Sequence, residues 1–324
     1  MTVTRPPHDP ELDAALEVML ESLPAGTMNA ETAAAMRDAD GAQLPGLDPD
    51  DLAALGVISR DVVIPVSDGA ELAGTIFSRA DHTGTGPGIY HVHGGGMVTG
   101  HRLLGVQQTL PWIVDHDAVV LTVDYRLAPE HPDPYPVEDS YAGLVWMAEH
   151  AADLGVDPDR MIIVGASAGG GIAAGTALLA RDRSGPRLAG QVLICPMIDD
   201  RDATASAAQI TERTTWTRES NRYGWSSLLG DRVGTEDVSI YAAPARATDL
   251  SGLPPTYIDC GSAEVFRDED VAYALRLWEA GVDAELHVWA GGFHGFEMLA
   301  PHAAVSQASL AARDSWVART IGDR

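Results

Sequence analysis

The chain has no lysine: all 21 of its basic side chains are arginine, set against 47 Asp and Glu for a net charge of -26. So acidic a surface repels phosphate backbones and anionic headgroups, which excludes nucleic acid as a partner. Without lysine there is also no P-loop, and no spaced dinucleotide fingerprint is present. Cysteine is scarce, with Cys195 and Cys260 each at the end of an expected strand; two thiols so placed read as buried groups, not as a disulfide framework. No stretch approaches the ~18 uncharged apolar residues of a membrane span. The opening Met-Thr-Val-Thr-Arg-Pro-Pro-His has no apolar signal core, so the expected location is cytoplasmic. No His/Cys/Asp cluster has zinc spacing, and neither a metal nor an organic cofactor is expected.

What remains is ordinary globular material, 324 residues with 45% hydrophobic and 21% charged content, enough for a sizeable buried core. From Asp9 to Leu55 the chain is acidic and helical. Asp9-Pro10 has the form of an N-cap followed by proline in the first turn, and Leu12, Leu16, Met19, Leu20 and Leu23 then share a face, which predicts an amphipathic helix resting on something larger. Gly41, Pro45, Gly46 and Pro49 break up the rest of this segment, marking it as an accessory lid element.

Strand and helix signals alternate from there on. Residues 62–66 and 71–78, joined by Ser-Asp-Gly, predict a hairpin. Short apolar runs follow at 88–92, 118–123, 161–164, 191–195, 256–260 and 284–288, with helices expected near 101–116, 137–152, 169–183, 268–280 and 303–320. Apolar strands without clean alternation, separated by helices, describe a mostly parallel sheet covered on both faces. The long excursion between Cys195 and Thr256 carries Trp216, Tyr223 and Trp225, and a large loop from the carboxyl side of a parallel sheet is a natural lid.

Three stretches carry chemistry. Gly165-Ala166-Ser167-Ala168-Gly169 follows the strand Met-Ile-Ile-Val and opens a helix; a serine on such a turn is held in a strained backbone conformation with its hydroxyl exposed, and small neighbours relieve the crowding. His93-Gly94-Gly95-Gly96 follows another strand, and consecutive glycines let backbone N–H groups converge as a tetrahedral oxyanion requires. Of the histidines, His287 falls within a strand and His116 near a helix end, whereas His294 stands in the glycine-flanked loop Gly-Gly-Phe-His-Gly-Phe after the last strand. Chain order of nucleophile, acid and base places the base there. The acid should follow the preceding strand, where Glu264, Asp268, Glu269 and Asp270 crowd together; spacing does not separate them.

His93-Gly94-Gly95-Gly96, Tyr125-Arg126-Leu127-Ala128-Pro129-Glu130, Gly165-Ala166-Ser167-Ala168-Gly169 and Phe293-His294-Gly295-Phe296, in that order, resemble the hormone-sensitive-lipase family of α/β-hydrolase esterases, from about residue 60 onward. The resemblance implies an α/β-hydrolase fold with an eight-stranded, mostly parallel sheet flanked by helices and a helical cap. It implies one domain spanning 1–324, with cap elements at about 1–55 and 200–245. Residues 263–269 occupy the place of the family's Asp-Pro-Leu-Arg-Asp-Glu stretch, which puts Glu264 where the usual aspartate stands, similar to heroin-esterase-like bacterial acetylesterases; Asp268 stays as the alternative. The implied triad is Ser167, His294 and Glu264, with oxyanion donors from the N–H groups of Gly95, Gly96 and Ala168. Two positions depart from the pattern: Ala166, where many members have Asp, and Met97, where an aromatic is common.

The expected activity is hydrolysis of short-chain, acetyl-like esters through an acyl-enzyme, with a small-molecule ester and water as partners. Trp and Tyr in the lid lead to the expectation of small acyl groups and a bulky alcohol portion. A homodimer is compatible with the resemblance. Two other classes share the fold: plant gibberellin-receptor-like binding proteins, which lose the histidine that His294 represents here, and peptidases or amidases using the same three groups.

Overall fold

A computed structural model of the chain describes residues 4–22, 27–39 and 47–322; Leu23, Gly41, Pro45 and Gly46 lie outside them. Eight strands, β1 (Val57–Pro65), β2 (Glu71–Arg79), β3 (Gly86–Val92), β4 (Val119–Val123), β5 (Val156–Ala166), β6 (Gly190–Ile194), β7 (Thr256–Gly261) and β8 (Ala284–Trp289), form one sheet in the order β1-β2-β4-β3-β5-β6-β7-β8. The β1–β2 and β2–β4 pairs are antiparallel and the remaining pairs parallel. This is the α/β-hydrolase fold that the motifs imply.

Strands β3, β4, β6 and β7 are buried along their whole length, which is why their sequences run apolar without alternating. Successive side chains serve opposite layers. Ile89, Val120, Ile162, Val164 and Val192 pack with Trp112, Ile113, Trp316 and Val317 of the helices Leu110–His116 and Ala304–Ile321. Tyr90, Leu121, Ile163, Leu193 and Ile258 pack instead with Leu144, Met147, Ile172 and Leu178 of the helices Tyr135–Glu149 and Ala168–Asp182.

Two expectations are corrected. The helix expected near 101–116 starts at Leu110, preceded by the 3-10 turn Val106–Thr109, because Gly105 is left-handed at φ 86° and Pro111 suits only a first helical turn. β1 and β5 begin earlier than their apolar runs. Residues 58–61 of β1 are exposed and held by pairing with β2, and β5 takes in the unburied stretch Asp-Pro-Asp-Arg at 157–160 before a register irregularity at Pro87/Gly88 of its neighbour. Backbone pairing extends a strand where side-chain burial gives no signal.

Asp9 caps the helix Pro10–Ser22 by accepting from the amides of Glu11 and Leu12 at 2.9 and 3.4 Å. Its Leu12 and Leu16 pack on Phe293, Phe296 and Ala300, so the larger body under this helix is the loop that follows β8. Among the described residues no helix is long and apolar enough to cross a membrane.

Beneath that loop, Arg313 is 1% exposed and donates to Asp259 (3.1 Å), Glu297 (3.3 Å) and Gln108 (2.8 Å). It joins the C-terminal helix to β7 and to the short helix Phe296–Leu299. Replacing Arg313 by leucine leaves two buried carboxylates uncompensated and should cost about 3–5 kcal/mol. Urea unfolding followed by circular dichroism checks this, and an unmoved midpoint would contradict it.

Candidate active site

Ser167 stands between β5 and the helix Ala168–Asp182 with φ 59° and ψ −125°, a conformation that L residues avoid unless the surroundings impose it. Here they do. The Ser167 amide donates to the Ile194 carbonyl at 2.8 Å, and its own carbonyl accepts from Met197 at 3.0 Å and Gly171 at 3.1 Å. A Cβ on Gly169 would run into the carbonyls of Val92 and His93, and one on Gly165 into the carbonyl of Gly169. Packing therefore demands glycine two residues before and two residues after the serine.

The loop after β7 and the loop after β8 are tied together. Ser262 donates to the Trp289 carbonyl at 2.8 Å, Ala263 to that of Gly292 at 2.9 Å, and Gly291 to the Ser262 hydroxyl at 2.9 Å. Left-handed Gly291 (φ 77°) and Gly295 (φ 72°) turn the second loop back over the sheet edge. The result is a continuous chain of polar contacts: Glu264 Oε2 to His294 Nδ1 at 2.7 Å, and His294 Nε2 to Ser167 Oγ at 2.9 Å. Glu264 is fully buried, and its other oxygen accepts the Gly261 amide at 3.1 Å. Burial pushes its carboxyl up, and the hydrogen bond to His294 opposes that.

Asp268, the alternative acid, is engaged elsewhere: it accepts the Ser206 amide at 2.8 Å and pairs with Arg267 at 2.8 Å. His287 lies in β8, bonded to Glu285 at 2.9 Å and stacked on Trp289, and His116 ends the helix Leu110–His116. Both hold the structural positions expected of them.

The glycine loop after β3 lies against the serine turn, with Gly94 so close that a Cβ there would sit 3.0 Å from the Ala166 carbonyl. Gly95 (φ 113°) and Gly96 (φ 63°) reverse the chain, and the Gly95 carbonyl accepts from both Val98 (3.1 Å) and Thr99 (2.9 Å). His93 braces the loop from below. It bonds the Gly94 carbonyl at 2.8 Å and stacks on Tyr125 at 4.1 Å, while the Tyr125 hydroxyl donates to the His93 carbonyl at 3.0 Å. Burial lowers His93 to about 4, so this support is a neutral imidazole. Met97 is buried, and its carbonyl receives the Ala128 amide at 2.9 Å.

These groups open into a cavity of about 300 Å³ bordered by Met28, Thr32 and Met36 from the N-terminal segment, Trp216 from the excursion after β6, and Leu104 and Met298. Of the three aromatics singled out in the excursion after β6, Trp216 alone borders this cavity; Tyr223 and Trp225 border a separate one. The expectation of a wall of Trp and Tyr is corrected to one of methionine and leucine with a single indole. Thr215 was not legible in the sequence: its hydroxyl donates to the His294 carbonyl at 2.5 Å, a contact no motif announces. Cys195, Glu264 and His294 offer three atoms within 4.8 Å of one another, but both nitrogens of His294 are committed to Glu264 and Ser167.

A hydroxyl bonded to an imidazole that is itself held by a buried carboxylate, beside a turn of glycine amides, is an arrangement capable of nucleophilic acyl transfer. The family model described as alpha/beta hydrolase fold matches residues 89–298. The chain is 38% identical over 227 residues to carboxylesterase NlhH of Mycobacterium tuberculosis, covering 67% of this chain and 70% of that protein. It is 32% identical to an arylesterase of Saccharolobus solfataricus, covering 74% and 76%. Among solved structures it matches one titled bacterial heroin esterase with a TM-score of 0.88 and 38% identity, covering 98% of both chains. A fold, a motif set and a sequence likeness that agree over most of the chain lead to one conclusion: the protein belongs to the hormone-sensitive-lipase family of α/β-hydrolase esterases and is a carboxylic ester hydrolase.

Proposed function

We propose that the enzyme hydrolyses short-chain, acetyl-like esters through an acyl-enzyme on Ser167, with His294 as general base and Glu264 as the acid that orients it. The observation that carries this reading is the pair of contacts at 2.9 and 2.7 Å joining the three side chains. Ser167 attacks the ester carbonyl as His294 Nε2 takes the hydroxyl proton, and His294 then gives that proton to the departing alcohol. Water enters by the same route in reverse and releases the acid. Glu264 holds the Nδ1–H tautomer and stabilises the imidazolium that each step creates. A carboxylate buried without water is well suited to that, since its attraction for the cation is little screened.

The oxyanion formed in each step is received by the N–H groups of Gly95, Gly96 and Ala168. Gly94 and Gly169 support them by permitting the close approach of the two turns, and Gly165 by leaving room for the Gly169 carbonyl within the serine turn. The N-terminal helices and the segment 200–245 act as a cap. A cavity of about 300 Å³, walled by methionine and leucine with Trp216 over the glycine turn, favours a small acyl group. The solved neighbour titled a heroin esterase and the relative named an arylesterase support a bulky alcohol portion.

Ser167→Ala should lower kcat on p-nitrophenyl acetate by about 10⁴-fold or more with the circular dichroism spectrum unchanged, and retained turnover would end the proposal. Glu264→Gln should cost about 10²–10⁴-fold, whereas Asp268→Asn should stay within a few-fold; the reverse ranking would reassign the acid. A Cβ on Gly96 would strike the Trp216 ring at a backbone φ of 63°, so Gly96→Ala should lose about tenfold or more in kcat. Adding Trp216→Ala should recover part of that loss; an additive loss would show that the ring is not the obstacle. Along p-nitrophenyl esters from acetyl to palmitoyl, kcat/KM should fall steeply, and a flat series would contradict the acyl preference.

A further inference from the structure

Five carboxyl groups are buried together around the acid loop: Asp259, Glu264, Glu269, Asp270 and Glu297, none more than 5% exposed. Four of them have nitrogen or oxygen donors. Asp259 receives the Tyr257 and Ser309 hydroxyls and, with Glu297, the Arg313 guanidinium. Glu269 receives the amides of Ile198 and Asp199 at 2.9 and 3.1 Å, and Glu264 receives His294 and Gly261. Asp270 is fully buried, and among the described residues neither of its oxygens has a nitrogen or oxygen donor; the Cys260 thiol, a weak donor, is the side-chain partner it has.

An ionised carboxylate with no donor stronger than a thiol in such a place is far costlier than a protonated one. The titratable groups that act on Asp270 are Glu264, Glu269, Asp259 and the thiols of Cys260 and Cys195, and the Arg313 guanidinium is already taken up by Asp259 and Glu297. Burial first, and then the neighbouring carboxylates, push Asp270 well above the usual range. A protonated carboxyl is a donor in search of an acceptor. An Asp270 oxygen, a Glu264 oxygen and the Cys260 sulfur lie within 4.8 Å of one another.

We propose that Asp270 is a positioning residue for Glu264: kept as a neutral acid, it donates toward the Glu264 carboxylate, directly or through the Cys260 thiol, so that the two carboxyls share one proton and one negative charge. This rests on the reading of Glu264 as the acid that orients His294. Glu264 receives one donor on each oxygen, Gly261 and His294, and the further donor fixes its longer side chain against the imidazole. The pair titrates as a unit, with one proton retained over the working range.

Infrared difference spectra between the wild-type enzyme and Asp270→Asn at neutral pH should contain the C=O stretch of a protonated carboxyl, present only in the wild type. Its absence would overturn the proposal whatever the role of Glu264, which the activity of Glu264→Gln tests separately. Asp270→Asn keeps a donor and should retain kcat within about threefold. Asp270→Leu removes it and should lower kcat about tenfold with KM little changed. Without that donor the Glu264 charge is less stabilised and holds the imidazolium more tightly, so His294 releases its proton at higher pH and the acid limb of kcat/KM moves upward. A merely structural role would leave that limb in place, and an unmoved limb in a folded Asp270→Leu enzyme would also overturn the proposal. Should that variant fail to fold, the infrared comparison decides alone.

Discussion

A serine hydroxyl is a poor nucleophile until an imidazole stands within hydrogen-bond reach of it, and here the ring comes from 127 residues further along the chain. Holding that contact at 2.9 Å requires both ends to be fixed. At one end the strained turn at Ser167 is pinned by Ile194, Met197 and Gly171, and by glycines that no larger residue could replace. At the other end the loop carrying His294 is fastened to the loop after β7 by three hydrogen bonds and underlain by the Arg313 network. Much of the sheet's carboxyl edge is organised around keeping these two turns in register.

The covering segments take part in the same task. The helix Pro10–Ser22 lays Leu12 and Leu16 on Phe293 and Phe296, the two aromatics flanking His294. Thr215 holds the carbonyl of that histidine, and its neighbour Trp216 lies over Gly96. Arg37, from the helix Ala30–Ala39, reaches the carbonyls of Val98 and Ala128 behind the glycine loop, both at 2.6 Å. Segments that bond to the proposed base and lie over the proposed oxyanion site steady the groups held there.

Much of this was legible from residue types alone. The strands of the sheet centre were visible because burial on both faces forces continuous apolar runs, and the serine and histidine turns because glycine marks backbone that other residues cannot adopt. What escaped has physical causes too. Residues 58–61 of β1 and 157–160 of β5 are not buried and are held by pairing, which leaves little hydrophobic trace. Glu264 and Asp268 could be ranked only by resemblance, since four residues of separation say nothing about which one turns toward the imidazole; the fold aims the first at His294 and the second at Ser206 and Arg267. The aromatics of the excursion after β6 were visible as residues but not as neighbours, and of the three Trp216 alone borders the cavity beside Ser167.

The proposed chemistry stands or falls on whether the hydroxyl of Ser167 is the activated one. Treating the enzyme with a fluorophosphonate probe and locating the adduct by peptide mass spectrometry tests that directly. One equivalent on the peptide containing Ser167, abolished when the protein is first unfolded in urea, is the expected result. A protein that stays unlabelled, or carries the adduct on another residue, would contradict the account.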